Sequence, residues 1–127
     1  QALSLGAHAV VVEGAGGWAI PYSDHLMQAD LVRALKLPVV LVVGIRLGCI
    51  NHAILSERAI RGDQCELVGW IANRVDPACL YPDEVVATLK DELDAPLLAD
   101  CPFGANIDLA AQRLGPALDA LGLKRHG

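Results

Sequence analysis

Glu13 stands at the end of an apolar run and is followed by Gly14, Ala15, Gly16 and Gly17, a stretch with almost no side chain. A carboxylate held at the end of a buried strand sits as in a Walker B arrangement, where it can meet a Mg²⁺ carried by a nucleotide. Glycines beside it let backbone N–H groups come close to anionic oxygens. The plain alternative is that Glu13 caps a turn or pairs with a lysine, and that the glycines are an ordinary turn. Gly14, Gly16 and Ala19 also fit GxGxxA, the dinucleotide-binding turn. That fingerprint opens directly into a helix, whereas here Ile20, Pro21 and Tyr22 intervene and the first capping residues are Ser23 and Asp24. The segment therefore reads as a loop rather than a helix mouth.

A second candidate is GIRLGCINHA, residues 44–53, which leaves an apolar run at Gly44 and enters a helix near Cys49 or Ile50. The free N–H groups and positive end of such a helix suit a carboxylate or phosphate. Cys49 and His52 share a helical turn, but two metal ligands without a third describe a small core thiol and a solvated imidazole more often than a site. Cys49 is also a candidate nucleophile, because a helix N-terminus lowers a thiol pKa. Asn51 has a plain reading as a first-turn residue. Asn73 ends another apolar run, where its amide offers a donor and an acceptor to a purine edge or forms a turn. Pro102, Phe103 and Gly104 make an apolar wall for a flat ring, or a strand stop. Trp18 and Trp70 read as packing residues.

These groups need elements to hold them. AHAVVVEG (residues 7–14), LPVVLVVG (37–44) and CELVGWIAN (65–73) are continuous apolar runs, the pattern of strands buried on both faces of a parallel sheet. Between them, SDHLMQADLVRALK carries a Ser or Asx cap with apolar Leu26, Met27, Leu31 and Leu35, and INHAILSERAI repeats apolar residues at helical spacing. A third helix, YPDEVVATLKDEL, opens with Pro82 and acids in its first turn, and APLLADCP is a short strand. The last helix, about residues 108–121, contains Gly115 and Pro116 and is predicted to break or end there. The predicted fold class is α/β, a three-layer sandwich with a mainly parallel sheet and ligands beyond the carboxyl ends of its strands. That rule singles out residues 13–17, 44–49, 73–74 and 100–104.

With 127 residues, 54% of them hydrophobic, the chain suits one domain or a piece of one. A net charge of -5 argues against a nucleic-acid or anionic-membrane partner. The apolar run 37–45 is far short of the roughly 20 residues that span a bilayer. Cys49, Cys65, Cys79 and Cys101 are scattered without a CxxC pair, which predicts reduced thiols in the cytoplasm.

In order and spacing, VVVEGAGGWAIPYSD, LPVVLVVGIRLGCINHAILS and GWIAN resemble the second half of the dethiobiotin synthetase family. These are ATP-dependent carboxylases that close the ureido ring in biotin synthesis, on a P-loop NTPase-like fold. The resemblance covers residues 9–103; the VEGAGG loop is shared with related synthetases, and LGCINHA is more specific. It implies Mg²⁺, ATP, CO₂ or bicarbonate and 7,8-diaminopelargonate as partners, and a homodimer. By the same resemblance Glu13 is a magnesium ligand, and Gly14, Ala15 and Gly16 lie against nucleotide and carbamate, with Gly17 on the substrate side. Asn73 and Arg74 read adenine, flanked by Pro102, Phe103 and Gly104. Leu47, Gly48, Cys49 and Asn51 hold the substrate carboxylate across the dimer.

The family's GxxxxxGK[ST] loop, its second lysine and the accompanying serine have no counterpart in this sequence. The expectation is that residues 1–127 form the C-terminal part of a single domain, incomplete at the N-terminus. A substrate-contacting tyrosine of the family aligns with Val85, with Tyr81 nearby, and Asp108 is the candidate for an adenine-side acid. A non-catalytic dimerising half and a related P-loop amide synthetase are the competing readings.

Overall fold

A computed structural model describes residues 9–122. Its centre is a parallel sheet of β3 (Val39–Gly44), β4 (Leu67–Asn73) and β5 (Leu97–Cys101), in that order. A short antiparallel ribbon, β1 (Pro21–Ser23) and β2 (Leu26–Met27), precedes helix α1 (Gln28–Leu35). Helix α2 (Cys49–Gly62) connects β3 to β4, α3 (Pro82–Glu92) connects β4 to β5, and α4 (Ile107–Ala120) follows β5 and packs on it. This is an α/β fold, a parallel sheet flanked by helices.

The register matters most for function. Gly44 lies opposite Asn73, and Asn73 opposite Cys101, so the three strands end level. The ladder continues past them: the Ile45 amide donates to the Asn73 carbonyl at 2.7 Å, and the Arg74 amide to the Cys101 carbonyl at 3.0 Å. Beneath this edge the core gathers Val43, Ile45, Ala53, Ile60, Trp70, Ala72 and Leu89. Trp70 is fully buried. Gly69, on β4, leaves room for Leu98 on β5: a methyl there would sit 2.5 Å from Leu98 Cγ.

A single buried carboxylate locks the lower turn of the sheet. Glu57 on α2 accepts from the backbone amides of Asp94 (3.1 Å) and Ala95 (2.9 Å), and from Arg61 (3.1 Å). It thereby fixes the turn from α3 into β5.

Three local expectations need correction. Ala7 and His8 of the first apolar run fall outside the described residues, and residues 9–14 form no strand; Val11 is 85% exposed. An apolar run becomes a buried strand only with a hydrogen-bonding neighbour and cover on both faces, and β3 to β5 offer this one neither. The first helix begins at Gln28 rather than near Ser23. Residues 21–27 close on themselves as the ribbon, and the Asp30 carboxylate takes the Met27 amide at 2.9 Å, starting the helix there. Finally, α4 runs unbroken through Gly115 and Pro116. Pro116 and Gln112 are both exposed, so the carbonyl that loses its partner faces solvent, while buried Gly115 and Ala117 keep the helix on the body of the domain.

Candidate functional site

The level strand ends bring residues 44–49, 73–74 and 100–104 onto one edge. After β3 the chain passes exposed Arg46 and Leu47 and enters α2 through Gly48, whose φ of 88° is left-handed backbone that glycine adopts without strain. No side chain caps this helix. The Cys49 amide donates to the Arg46 carbonyl (3.1 Å) and the His52 amide to that of Gly48 (3.2 Å), whereas those of Ile50 and Asn51 have no acceptor among the described residues. Two free amides, the helix dipole and the Arg46 cation make this corner electropositive. Cys49 is a buried free thiol and Asn51 is exposed.

At the end of β4, the Asn73 side chain is exposed and makes no hydrogen bond among the described residues, while its backbone is fixed by both neighbouring strands. Arg74 is engaged quite differently. Its Nε and Nη2 donate to the two oxygens of Asp100, both at 2.8 Å, and Nη1 meets Asp83 at 2.7 Å. Donating hydrogen bonds to Asp100, and then to Asp83, raises the Arg74 pKa further above its already high value. Beyond β5, half-buried Pro102, exposed Phe103 and Gly104 (φ 70°) form the next wall. Burial, reinforced by Asp100, pushes the Cys101 thiol up.

The loops after β3, β4 and β5 also expose Leu47, Val75, Leu80, Tyr81 and Phe103, as the start of α4 does Ile107. Apolar side chains concentrated beside free polar groups are what a ligand or partner surface presents. Sequence reasoning missed Val75, Leu80 and Ile107. Their signal was position, in the loop after β4 and at the first residue of α4. Tyr81 stands out at the entry to α3 in left-handed backbone (φ 55°), whereas Val85 packs against the core. Asp108 lies in the first turn of α4, along a groove with Gln112 and Asp119.

The glycine loop is placed elsewhere. Gln28 holds it: its Nε2 donates to the Gly17 carbonyl (2.9 Å), its Oε1 accepts from Tyr22 (3.1 Å), and its side chain fills the space that a Cβ on Gly14 would need. Gly16 and Gly17 take φ of 86° and 140°. Next to them, the Trp18 indole donates to Asp63 at 2.7 Å. Asp63 follows the C-terminus of α2, a helix of 14 residues and thus about 21 Å from Cys49. The structure therefore groups the second and third candidate segments with residues 100–104, and does not bring the glycine loop to them. Glu13 and Ala15 are exposed, and Glu13 makes no hydrogen bond or ion pair among the described residues.

No group of three or more His, Cys, Asp or Glu that could hold a metal occurs among the described residues. A lone carboxylate such as Glu13 fits Mg²⁺ only in the manner of an ion held chiefly by phosphates and water. No helix among the described residues is long and apolar enough to cross a membrane.

A parallel sheet whose strand ends carry a free amide, a helix N-terminus and an apolar rim is the arrangement at which proteins of the α/β class bind ligands. Comparison with known proteins makes this specific. A family profile described as an AAA domain (AAA_26) matches residues 1–111, and the chain belongs to that family. The chain is similar to the ATP-dependent dethiobiotin synthetase BioD of Xanthomonas oryzae pv. oryzae (strain PXO99A), 53% identical over 109 residues, 86% of this chain and 49% of that protein. It is also 50% identical over 123 residues to the protein of the same name from Pseudomonas paraeruginosa (strain DSM 24068 / PA7), covering 97% of this chain and 54% of the relative. The chain thus spans about half the length of the curated relatives it matches.

Proposed function

We propose that the protein carrying this chain is an ATP-dependent dethiobiotin synthetase. The observation that carries the reading is identity of about half over nearly the whole chain to proteins of that name. The strand-end geometry supports it, offering one amide for a purine and one electropositive helix mouth for a carboxylate.

In this reading 7,8-diaminopelargonate, CO₂ and ATP give dethiobiotin, ADP and phosphate. One amine of the substrate takes up CO₂ as a carbamate, ATP phosphorylates the carbamate, and the second amine attacks its carbon and expels phosphate. Asn73 reads the adenine edge, with Pro102, Phe103 and Gly104 along the ring. The free amides of the α2 N-terminus, with Leu47, Gly48, Cys49 and Asn51 around them, hold the substrate carboxylate, in a homodimer where each site draws on both subunits. Bound Mg²⁺ would neutralise charge on the phosphates, and Glu13 is the ligand this chain offers to it. Gly14, Ala15, Gly16 and Gly17 supply backbone amides at the phosphate and carbamate, which requires the loop to leave its place beside Gln28 and Asp63. The cytoplasm is the proposed compartment.

The test is product analysis with the full-length protein. Incubation with diamine, bicarbonate and Mg-ATP should give dethiobiotin by mass spectrometry, with ADP released in equal amount. ADP release without dethiobiotin, or independent of the diamine, would reject the reading.

A further inference from the structure

We propose that Arg74 is a positioning residue: it holds Asn73 in place through an ion triad with Asp100 and Asp83 and does not itself meet the nucleotide. The proposal rests on the reading that Asn73 binds ATP.

The guanidinium has five N–H donors in a planar fork. Here the Nε and Nη2 side is spent on both oxygens of Asp100, and Nη1 is turned to Asp83. Two carboxylates around one guanidinium leave the group with net negative charge, so it repels a phosphate rather than anchoring one. Each member belongs to a different element: Arg74 follows β4, Asp100 lies on β5, and Asp83 lies in the first turn of α3, where an acid is favoured. The triad therefore ties three elements together one residue beyond Asn73. The Arg74 amide already donates to the Cys101 carbonyl, so backbone and side chain both hold the β4 end against β5. Two of the five guanidinium N–H donors are left over, but they sit inside a net-negative group, and the side chain wholly without a partner at this point is the Asn73 amide.

The two arms are unequal. Arg74 and Asp100 side chains are 23% and 32% exposed and meet in bidentate geometry, whereas Asp83 is 82% exposed. The Asp100 arm should dominate, and the solvated Asp83 arm should contribute little.

The experiment uses the full-length protein with R74Q, R74K, D100N, D83N and R74Q/D100N, reading ATP Kd, ATP KM, kcat, diamine KM and thermal melting. If Arg74 acts through Asp100, R74Q and D100N should each weaken ATP about five- to tenfold, with kcat and diamine KM within about twofold, and the double variant should be no worse than either single one. R74K should recover part of the loss, and D83N should stay within about twofold. The proposal is overturned if R74Q weakens ATP while D100N does not, if the two losses multiply in the double variant, or if neither changes ATP affinity. If R74Q loses its cooperative melt, R74K and D100N carry the comparison, and unchanged ATP affinity in D100N overturns it. Wild-type protein that binds ATP but makes no dethiobiotin counts against the proposed activity, and the Kd comparison still decides the role of Arg74.

Discussion

Removal of the Glu57 carboxylate should measurably destabilise the domain. Glu57 is 6% exposed, and Ala95, whose amide it accepts, is 4% exposed. In E57A the Ala95 amide loses its acceptor in an enclosed space, whereas the amide of exposed Asp94 can turn to water. A buried donor left without a partner costs about 1–3 kcal/mol. One such donor sets an expected loss of about 1–3 kcal/mol, taking the solvated Asp94 amide and the half-exposed Arg61 pair as minor. E57Q keeps one acceptor oxygen for the Ala95 amide and turns its NH₂ toward that of Asp94, so its loss should be intermediate, about 0.5–1.5 kcal/mol. The assay is urea unfolding of the full-length protein, followed by tryptophan fluorescence, with the midpoint read at unchanged slope. Ranking wild type above E57Q above E57A supports the reasoning. An E57A protein within about 0.5 kcal/mol of wild type would refute it, showing that the Ala95 amide finds another partner.

Gly69→Ala should destabilise by about 1–3 kcal/mol through overlap with Leu98, and the thermal midpoint should recover when Leu98 is shortened to Ala in the same chain. Asn51→Asp should raise the diamine KM steeply, by like charge beside the bound carboxylate, with ATP affinity nearly untouched. Mixing inactive Glu13→Gln and Asn51→Asp subunits should restore one working site per heterodimer if each site draws on both chains; a mixture that stays dead contradicts the shared site. Asp30 sits below its ordinary 3.8 because the Met27 backbone amide stabilises the carboxylate against partial desolvation, with help from Arg33. A depressed folded pKa means that this contribution is present above pH 3.8 and disappears as pH falls through the lower folded value. The stability gap between wild type and Asp30→Asn should therefore be seen near neutrality and close under strongly acidic conditions.

Much of the sheet was legible because its signals are local. Runs 37–44, 65–73 and 95–102 are largely apolar, and each holds one of the paired strands. Pro82 and the acids after it marked the start of α3, and the start of α2 falls at Cys49 as expected. What failed depended on partners that local pattern does not reveal. Residues 10–12 carry a strand's composition without a neighbour to pair with, and Ser23 was spent on a turn. Pro116 was tolerated because its helix turns that side to solvent, which a sequence does not announce. Among site residues, the strand-end rule placed Gly48, Asn73 and Phe103 on one edge. It had no means of showing that Arg74 is enclosed by Asp83 and Asp100, since those acids lie 9 and 26 positions away. Nor did it reveal that Gln28 and Asp63 hold the glycine loop and Trp18.

The most direct test is a crystal structure of the full-length protein with Mg²⁺, a non-hydrolysable ATP analogue and the diamine. The account predicts the purine against Asn73 and residues 102–104, the substrate carboxylate on the free amides of Ile50 and Asn51, and the Arg74 triad intact. A nucleotide bound away from the strand ends, or one whose phosphates or base displace Asp100 from Arg74, would contradict it.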